Sequence, residues 1–155
     1  MMKSIRRVAT VAIVGGLLLG TMPSATARNI GQEGCTPGYW KNHTDNWEEY
    51  KAGTLVAEAF DLPAGSPYAE LTLEEALALK GGSGVDGATR ILLRAATAAV
   101  LNAAHQGLGY PYRRFNDPFN IVATVNTALA SSDRAAMLDL AATLDDANNL
   151  GCPLN

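Results

Sequence analysis

The stretch ATRILLRAATAAVLNAAHQ, Ala88–Gln106, decides the fold of this chain. Projected at about 100° per residue from Arg90, its apolar side chains cover an arc of roughly 80° to 300°, with Asn102 at about 120°. This arc is wider than the apolar stripe of a helix that is buried on one side only. The stretch therefore predicts a central helix with neighbours on more than one side. Its many alanines allow those neighbours to approach closely.

Before this stretch, Thr72-Leu73-Glu74-Glu75 has the pattern of a capping box. It predicts a helix that runs to Lys80 and stops at Gly81-Gly82. The glycine-rich segment Gly81–Gly87 predicts a flexible connection, with Asp86 as a candidate N-cap of the central helix.

After the central helix, Asp117-Pro118 combines an N-cap residue with proline at the first helical position, which predicts a helix over Pro118–Ala130. Ser132 or Asp133 caps a further helix that ends near Asn148-Asn149. Its apolar residues recur at spacing four, as in a helix with one buried face.

The N-terminal part of the chain has weaker patterns. Thr36-Pro37-Gly38-Tyr39 suits a type II turn. Asp45 with Glu48 predicts a short helix through Tyr50, and Leu55–Phe60 extends or restarts it. Since no stretch alternates as a strand does, residues 28–155 are expected to form a single all-α domain. We expect a compact bundle of about five helices with an irregular N-terminal segment, closed by one disulfide.

Charge excludes one class of function. The 155 residues carry a net charge of −3, but Lys3, Arg6 and Arg7 precede the first acidic residue, Glu33. Without those three, nine basic residues face 15 acidic ones and the net charge falls to −6. Such an acidic chain is not expected to bind nucleic acid.

Residues 1–27 have the pattern of a secretory signal peptide. The three basic residues precede an uncharged run, Val8–Gly20, and Ala25-Thr26-Ala27 suits a signal peptidase. As a membrane anchor the run is too short, since its 13 residues rise only about 20 Å against a hydrocarbon core of about 30 Å. We therefore expect a secreted mature chain, residues 28–155, without a membrane span. Sec and twin-arginine export both stay open.

An exported chain with two cysteines, Cys35 and Cys152, most simply forms one disulfide. The alternatives are free thiols or an intermolecular bridge.

The string GCTPGYWKNH, Gly34–His43, resembles a "CTPGYWKNH" module of secreted and cell-surface bacterial proteins. Later pieces resemble the same module: Leu71–Leu77, the glycine loop, Leu101–Ala104, Tyr110–Tyr112 and Gly151–Leu154. The resemblance implies a bacterial exported module and supports the pairing of Cys35 with Cys152. It implies no particular reaction. Where the family commonly has a histidine after the helix arginine, this chain has Ala95.

Aromatic residues concentrate around the N-terminal motif and between Tyr110 and Phe119. They form either an aromatic core or an exposed platform with basic residues at its rim. Trp40 is expected to be buried against the C-terminal helix or the Tyr110–Phe119 segment. The candidate binding residues are Tyr39, Trp40, Lys41, His43, Tyr110, Tyr112, Arg113 and Arg114.

The sequence carries no catalytic signature, and we expect no metal and no cofactor. His43 and His105 lack a partner at helical spacing, while the oxygens of Asp145, Asp146, Asn148 and Asn149 leave calcium binding open. We expect a secreted non-enzymatic module for extracellular interaction or envelope structure, with an unknown extracellular protein or glycan as partner. A glycan or small-ligand binding module is the alternative, and a secreted hydrolase near His43 and Asp45 the third.

Overall fold

A computed structural model describes residues 31–117 and 119–154. The predicted signal peptide lies outside the described residues. Six α-helices and one 3-10 helix, Thr44–Asn46, occupy the described part of the chain, which contains isolated β-bridges and no strand. The all-α prediction is thus confirmed, with six helices rather than about five. They are α1 (Pro37–Asn42), α2 (Val56–Ala59), α3 (Leu73–Leu77), α4 (Gly84–Ala104), α5 (Ile121–Ser131) and α6 (Arg134–Asn148).

Helix α4 is the centre of the fold, as its wide apolar arc predicts. It contacts α1, α3, α5 and α6. It begins at Gly84, with Ser83 rather than Asp86 at the N-cap position. Asp86 instead pairs with Arg90 one turn further along α4. A Cβ at Gly87 would lie 2.0 Å from the carbonyl oxygen of Gly82. Glycine is therefore needed here because the preceding segment folds back closely against the start of the helix.

Helix α6 packs alongside α4, and its N-terminus confirms the sequence prediction. The Asp133 carboxylate caps it by accepting hydrogen bonds from the backbone of Ala135 and Ala136. Helix α5 begins later than predicted, because Asn120 rather than Asp117 is its N-cap. Residues 119–121 first pair with Arg113, which donates from its backbone to the Phe119 carbonyl and accepts from Ile121. Pro118 lies outside the described residues.

The predicted type II turn at Thr36–Tyr39 is wrong, since these residues begin α1. The Thr36 hydroxyl accepts a hydrogen bond from the Tyr39 backbone at 3.1 Å, and Pro37 occupies the first turn. Threonine is a favoured N-cap, and the fixed φ of proline suits the first helical position. The same residues that suit a turn here therefore start a helix.

The helix predicted from Asp45 through Tyr50 is also wrong. A 3-10 helix covers Thr44–Asn46, Trp47 is extended, and Glu49 has a left-handed φ of 64°. The Trp47 indole donates a hydrogen bond to the Trp40 carbonyl at 2.9 Å. This tertiary contact holds the segment as a loop against α1.

The capping box at Thr72 is confirmed. The Thr72 hydroxyl accepts from the Glu75 backbone, and the Glu75 carboxylate accepts from the Thr72 backbone. Helix α3 nevertheless ends at Leu77 rather than Lys80. Its last turn tightens to hydrogen bonds between residues three apart, from Ala78 to Glu75 and from Leu79 to Ala76.

The expected cysteine pair is found. The sulfur atoms of Cys35 and Cys152 lie 1.96 Å apart, and their Cα atoms 4.5 Å apart. Beside them, the Gly34 backbone donates to the Gly151 carbonyl at 3.0 Å. A Cβ at Gly34 would lie 2.0 Å from the Ala147 carbonyl oxygen, so a side chain there would push the two termini apart. None of the described helices combines the length and apolar character that crossing a membrane requires.

Candidate functional site

The eight candidate binding residues fall into three groups. Trp40 and Tyr110 are buried, with exposed fractions of 0% and 2%. The second group, Tyr39, Lys41 and His43, lies around α1, and the third, Tyr112, Arg113 and Arg114, lies in the loop before α5. Within residues 31–117 and 119–154, no hydrogen bond or aromatic pair joins the second group to the third.

Trp40 is a core residue, as predicted, but its partners differ from those expected. Its indole is buried in a cluster with Leu77 of α3, Ala98 and Leu101 of α4, and Leu108. The indole N–H donates to the Asn102 side-chain oxygen at 3.0 Å. A ligand at the surface cannot stack on this ring.

Asn102 connects the N-terminal motif to the central helix. Its side-chain oxygen accepts from the Cys35 backbone at 2.8 Å and from the Trp40 indole. Its side-chain nitrogen donates to the Cys35 carbonyl and to the side-chain oxygen of Asn148, both at 2.9 Å. All four hydrogen-bonding positions of this buried amide are thus filled.

Asn148 continues the buried network into α6. Its oxygen also accepts from the Tyr110 hydroxyl at 2.8 Å, and its nitrogen donates to the Ala95 carbonyl at 3.0 Å. Burial raises the pKa of the Tyr110 hydroxyl, which keeps it a neutral donor. Because the Asn148 oxygen points into the core, it cannot act with Asp145 and Asp146 as a calcium ligand.

Around α1, Tyr39 and His43 support each other. Their rings stack with centroids 4.2 Å apart, and the His43 Nδ1 lies 2.9 Å from the Tyr39 carbonyl oxygen. The Tyr39 hydroxyl donates to the Leu154 carbonyl at 2.8 Å, which ties the C-terminal segment to α1. Lys41 is exposed on the last turn of α1. These contacts hold the N-terminal motif in place.

Exposed aromatic surface lies next to the third group, at Phe115. We call Tyr50, Tyr112, Arg114, Phe115 and Phe119 the aromatic ledge. Tyr112 and Phe119 stack with centroids 4.4 Å apart. The guanidinium carbon of Arg114 lies 5.6 Å from the Tyr50 ring centroid and 5.2 Å from that of Phe115. Phe115 is 57% exposed, so a ring restrained by a neighbouring cation faces solvent.

A cleft of about 330 Å³, which we call the ledge cleft, lies beside the aromatic ledge, because Glu49 lines the cleft and pairs with Arg114 of the ledge. Glu49, His105, Gln106 and Arg113 contribute to its lining, together with Leu108 and Gly109. The Glu49 carboxylate belongs to both features, because its Oε2 pairs with Arg114 Nη2 at 2.5 Å. The cleft therefore offers carboxylate, guanidinium and amide groups near the exposed ring of Phe115.

The cleft is built from two loops that meet. Arg113 Nη1 donates to the Tyr110 carbonyl at 3.2 Å and lies 3.5 Å from that of Tyr112. From the opposite loop, Glu48 Oε2 accepts from the Gln106 backbone at 2.6 Å. The His105 Nδ1 accepts from the Gly107 backbone at 2.9 Å, which leaves the hydrogen on Nε2, 3.7 Å from Glu48. The cleft walls are thus held by hydrogen bonds.

The sequence hypotheses did not select Asn102 or Glu49, and they considered Asn148 only as a possible calcium ligand. Asn102 falls inside the apolar arc of α4, and Asn148 continues the spacing-four series of Leu140 and Leu144, so both positions carried a signal of burial. Glu49 carried none, because its role depends on a loop 65 residues away.

No group of three or more histidine, cysteine or acidic side chains stands close enough to hold a metal ion, as far as the described residues show. The chain matches no protein-family model, no curated protein and no solved structure at a significant level.

Proposed function

We propose that this protein is an exported, disulfide-closed helical module that binds an extracellular or envelope partner through the aromatic ledge and does not act as a catalyst. The observation that carries the proposal is the exposure of Phe115 outside a core whose polar groups are all paired in the described residues. An exposed aromatic ring beside a guanidinium offers a flat apolar surface and a cation to another molecule.

Export is supported by two independent features. The N-terminal 27 residues have the pattern of a signal peptide. Cys35 and Cys152 lie at disulfide distance, an arrangement typical of oxidising compartments. The resemblance to the bacterial "CTPGYWKNH" module agrees with both. Intact-mass measurement of the protein from the medium tests this part, with cleavage expected after Ala27. A secreted product that retains Met1–Gly20 would contradict it.

The binding part of the proposal is tested on the envelope fraction of the cells that export the protein. We expect the purified protein to co-sediment with this fraction and Phe115→Ala to reduce the bound amount several-fold. Val85→Ala is the matched control, because Val85 is 43% exposed but lies on α4 outside the ledge. If Phe115→Ala and Val85→Ala bind equally, the surface of this protein that contacts the partner lies outside the aromatic ledge.

A hydrolase centred on His43 has weaker support. The His43 ring is stacked on Tyr39, and its Nδ1 lies at hydrogen-bonding distance from a backbone carbonyl. A catalytic histidine instead exchanges protons with a substrate or nucleophile within hydrogen-bonding reach. Binding through the aromatic ledge therefore agrees better with the structure than hydrolysis at His43.

A further inference from the structure

We infer that the ledge cleft binds a neutral saccharide, with the apolar face of one sugar ring on Phe115 and the hydroxyl groups of the next on Glu49 and Arg113. This inference rests on the proposed function and names the ligand class for the same surface. Its three supports are the exposed ring, the mixed donors and acceptors of the cleft, and the local balance of charge.

The exposed ring provides the apolar contact. A sugar ring has one face of C–H groups and an edge of hydroxyls, so it suits a flat aromatic side chain bordered by polar groups. Phe115 is 57% exposed, and the Arg114 guanidinium beside it limits the orientations of the ring. A restrained ring loses less conformational freedom on binding than a mobile one.

The cleft provides both kinds of hydrogen-bonding group. Glu49 Oε2 is occupied by Arg114, whereas its Oε1 accepts no hydrogen bond from a described residue. Arg113 uses Nη1 for backbone carbonyls, and its Nε and Nη2 donate to no described residue. A hydroxyl group both donates and accepts, so neighbouring hydroxyls can satisfy the carboxylate and the guanidinium together.

Charge balance favours a neutral ligand over a charged one. An anionic saccharide on Arg113 would also face the Glu49 carboxylate, which lines the same cleft. A cationic saccharide would face Arg113 and Arg114. Because a like charge close to a desolvated group opposes binding, a ligand without net charge matches this cleft best.

Isothermal titration of the purified, disulfide-bonded protein tests the inference. The probes are neutral hexasaccharides of glucose, mannose, galactose and xylose, with hexamers of galacturonate and glucosamine as the charged arms. We expect at least one neutral probe to bind with a Kd below about 1 mM, and both charged probes to bind about tenfold more weakly or not at all.

The variants connect binding to the site. Phe115→Ala and Arg113→Gln are each expected to weaken neutral binding by about tenfold. The matched controls Val85→Ala and Arg94→Gln, at exposed positions of α4, are expected to leave it unchanged.

Three results would overturn the inference: no neutral probe binds, a charged probe binds more tightly, or Phe115→Ala and Arg113→Gln bind as the controls do. If co-sedimentation with the envelope fraction still depends on Phe115 but is abolished by protease treatment of that fraction, the proposed function stands and the partner is a protein.

Discussion

Trp40 in α1 and Phe115 in the loop before α5 are both aromatic residues, and they have opposite surroundings. Trp40 is fully buried, and its indole N–H is bonded to an asparagine that also holds Cys35. Phe115 is 57% exposed and contacts a guanidinium whose carboxylate partner comes from another loop. The first region stabilises the fold, whereas the second presents a surface. Residue type alone does not separate these two roles.

Removal of the disulfide, which belongs to the buried region, is expected to cause the largest loss in the free energy of unfolding. Replacing both Cys35 and Cys152 by serine removes the constraint on a loop of 117 residues. The chain-entropy argument gives a loss of up to about 4–5 kcal/mol in the free energy of unfolding, at the buried end of the molecule. Urea unfolding of the variant and the oxidised wild type measures it. Free alkylation of both thiols in the native protein would contradict this prediction.

Trp40→Ala is expected to lower the free energy of unfolding by about 3–5 kcal/mol, because it leaves a cavity among Leu77, Ala98 and Leu101. Phe115→Ala is the matched control, with an expected change within about 0.5 kcal/mol, since that ring is exposed. Equilibrium urea unfolding compares the two variants. A loss below roughly 1 kcal/mol for Trp40→Ala would remove the distinction between the regions.

Asn102→Ala is expected to cost about 2–4 kcal/mol, since it leaves the buried Cys35 backbone and the Trp40 indole without partners. Asn149→Ala serves as control, because that side chain is exposed and bonds only within its own helix end. Thermal unfolding at fixed pH measures both variants. If Asn102→Ala and Asn149→Ala are equally stable, water replaces the Asn102 amide, and the hydrogen bonds of Asn102 contribute little to the stability of the buried region.

The smallest expected effect on stability concerns Asp86, whose carboxylate bonds to both Tyr68 and Arg90. Arg90 also donates a hydrogen bond to the Tyr68 hydroxyl. The Tyr68 hydroxyl donates to Asp86, and with Arg90 it holds the pKa of that carboxyl below its usual value. A lowered folded-state pKa adds stability above the unfolded pKa of about 3.9 and loses it as the pH falls through the folded pKa.

Asp86→Asn should therefore lose less stability than the wild type on acidification from about pH 5 to about pH 2. Urea unfolding at several pH values measures this difference. Asp139→Asn, at an exposed position of α6, controls for the loss of a surface charge. Parallel pH profiles for Asp86→Asn and the wild type would show that the pairing does not stabilise the fold.

The sequence by itself determined the helical class, the central place of α4, the capping of α3 and α6, and the cysteine pair. The helical features follow from residue spacing within one segment. Each of the two cysteines has only the other as an intramolecular partner. Segment-level patterns were insufficient where tertiary contacts compete with local preference. Thr36-Pro37 begins a helix instead of a turn. The hydrogen bond from the Trp47 indole to the Trp40 carbonyl holds Trp47 in a loop instead of the predicted helix.

Only the tertiary structure decided which polar and aromatic residues are core and which are surface. The spacing of Asn102 and Asn148 indicates burial, but only the packing of α4 against α6 brings the two amides together with Tyr110. Glu49 and Arg114 are ordinary charged residues until two loops meet and Arg114 lies between Tyr50 and Phe115. Burial and pairing depend on what the folded chain brings within a few ångströms, and one segment of sequence carries no information about its distant partner.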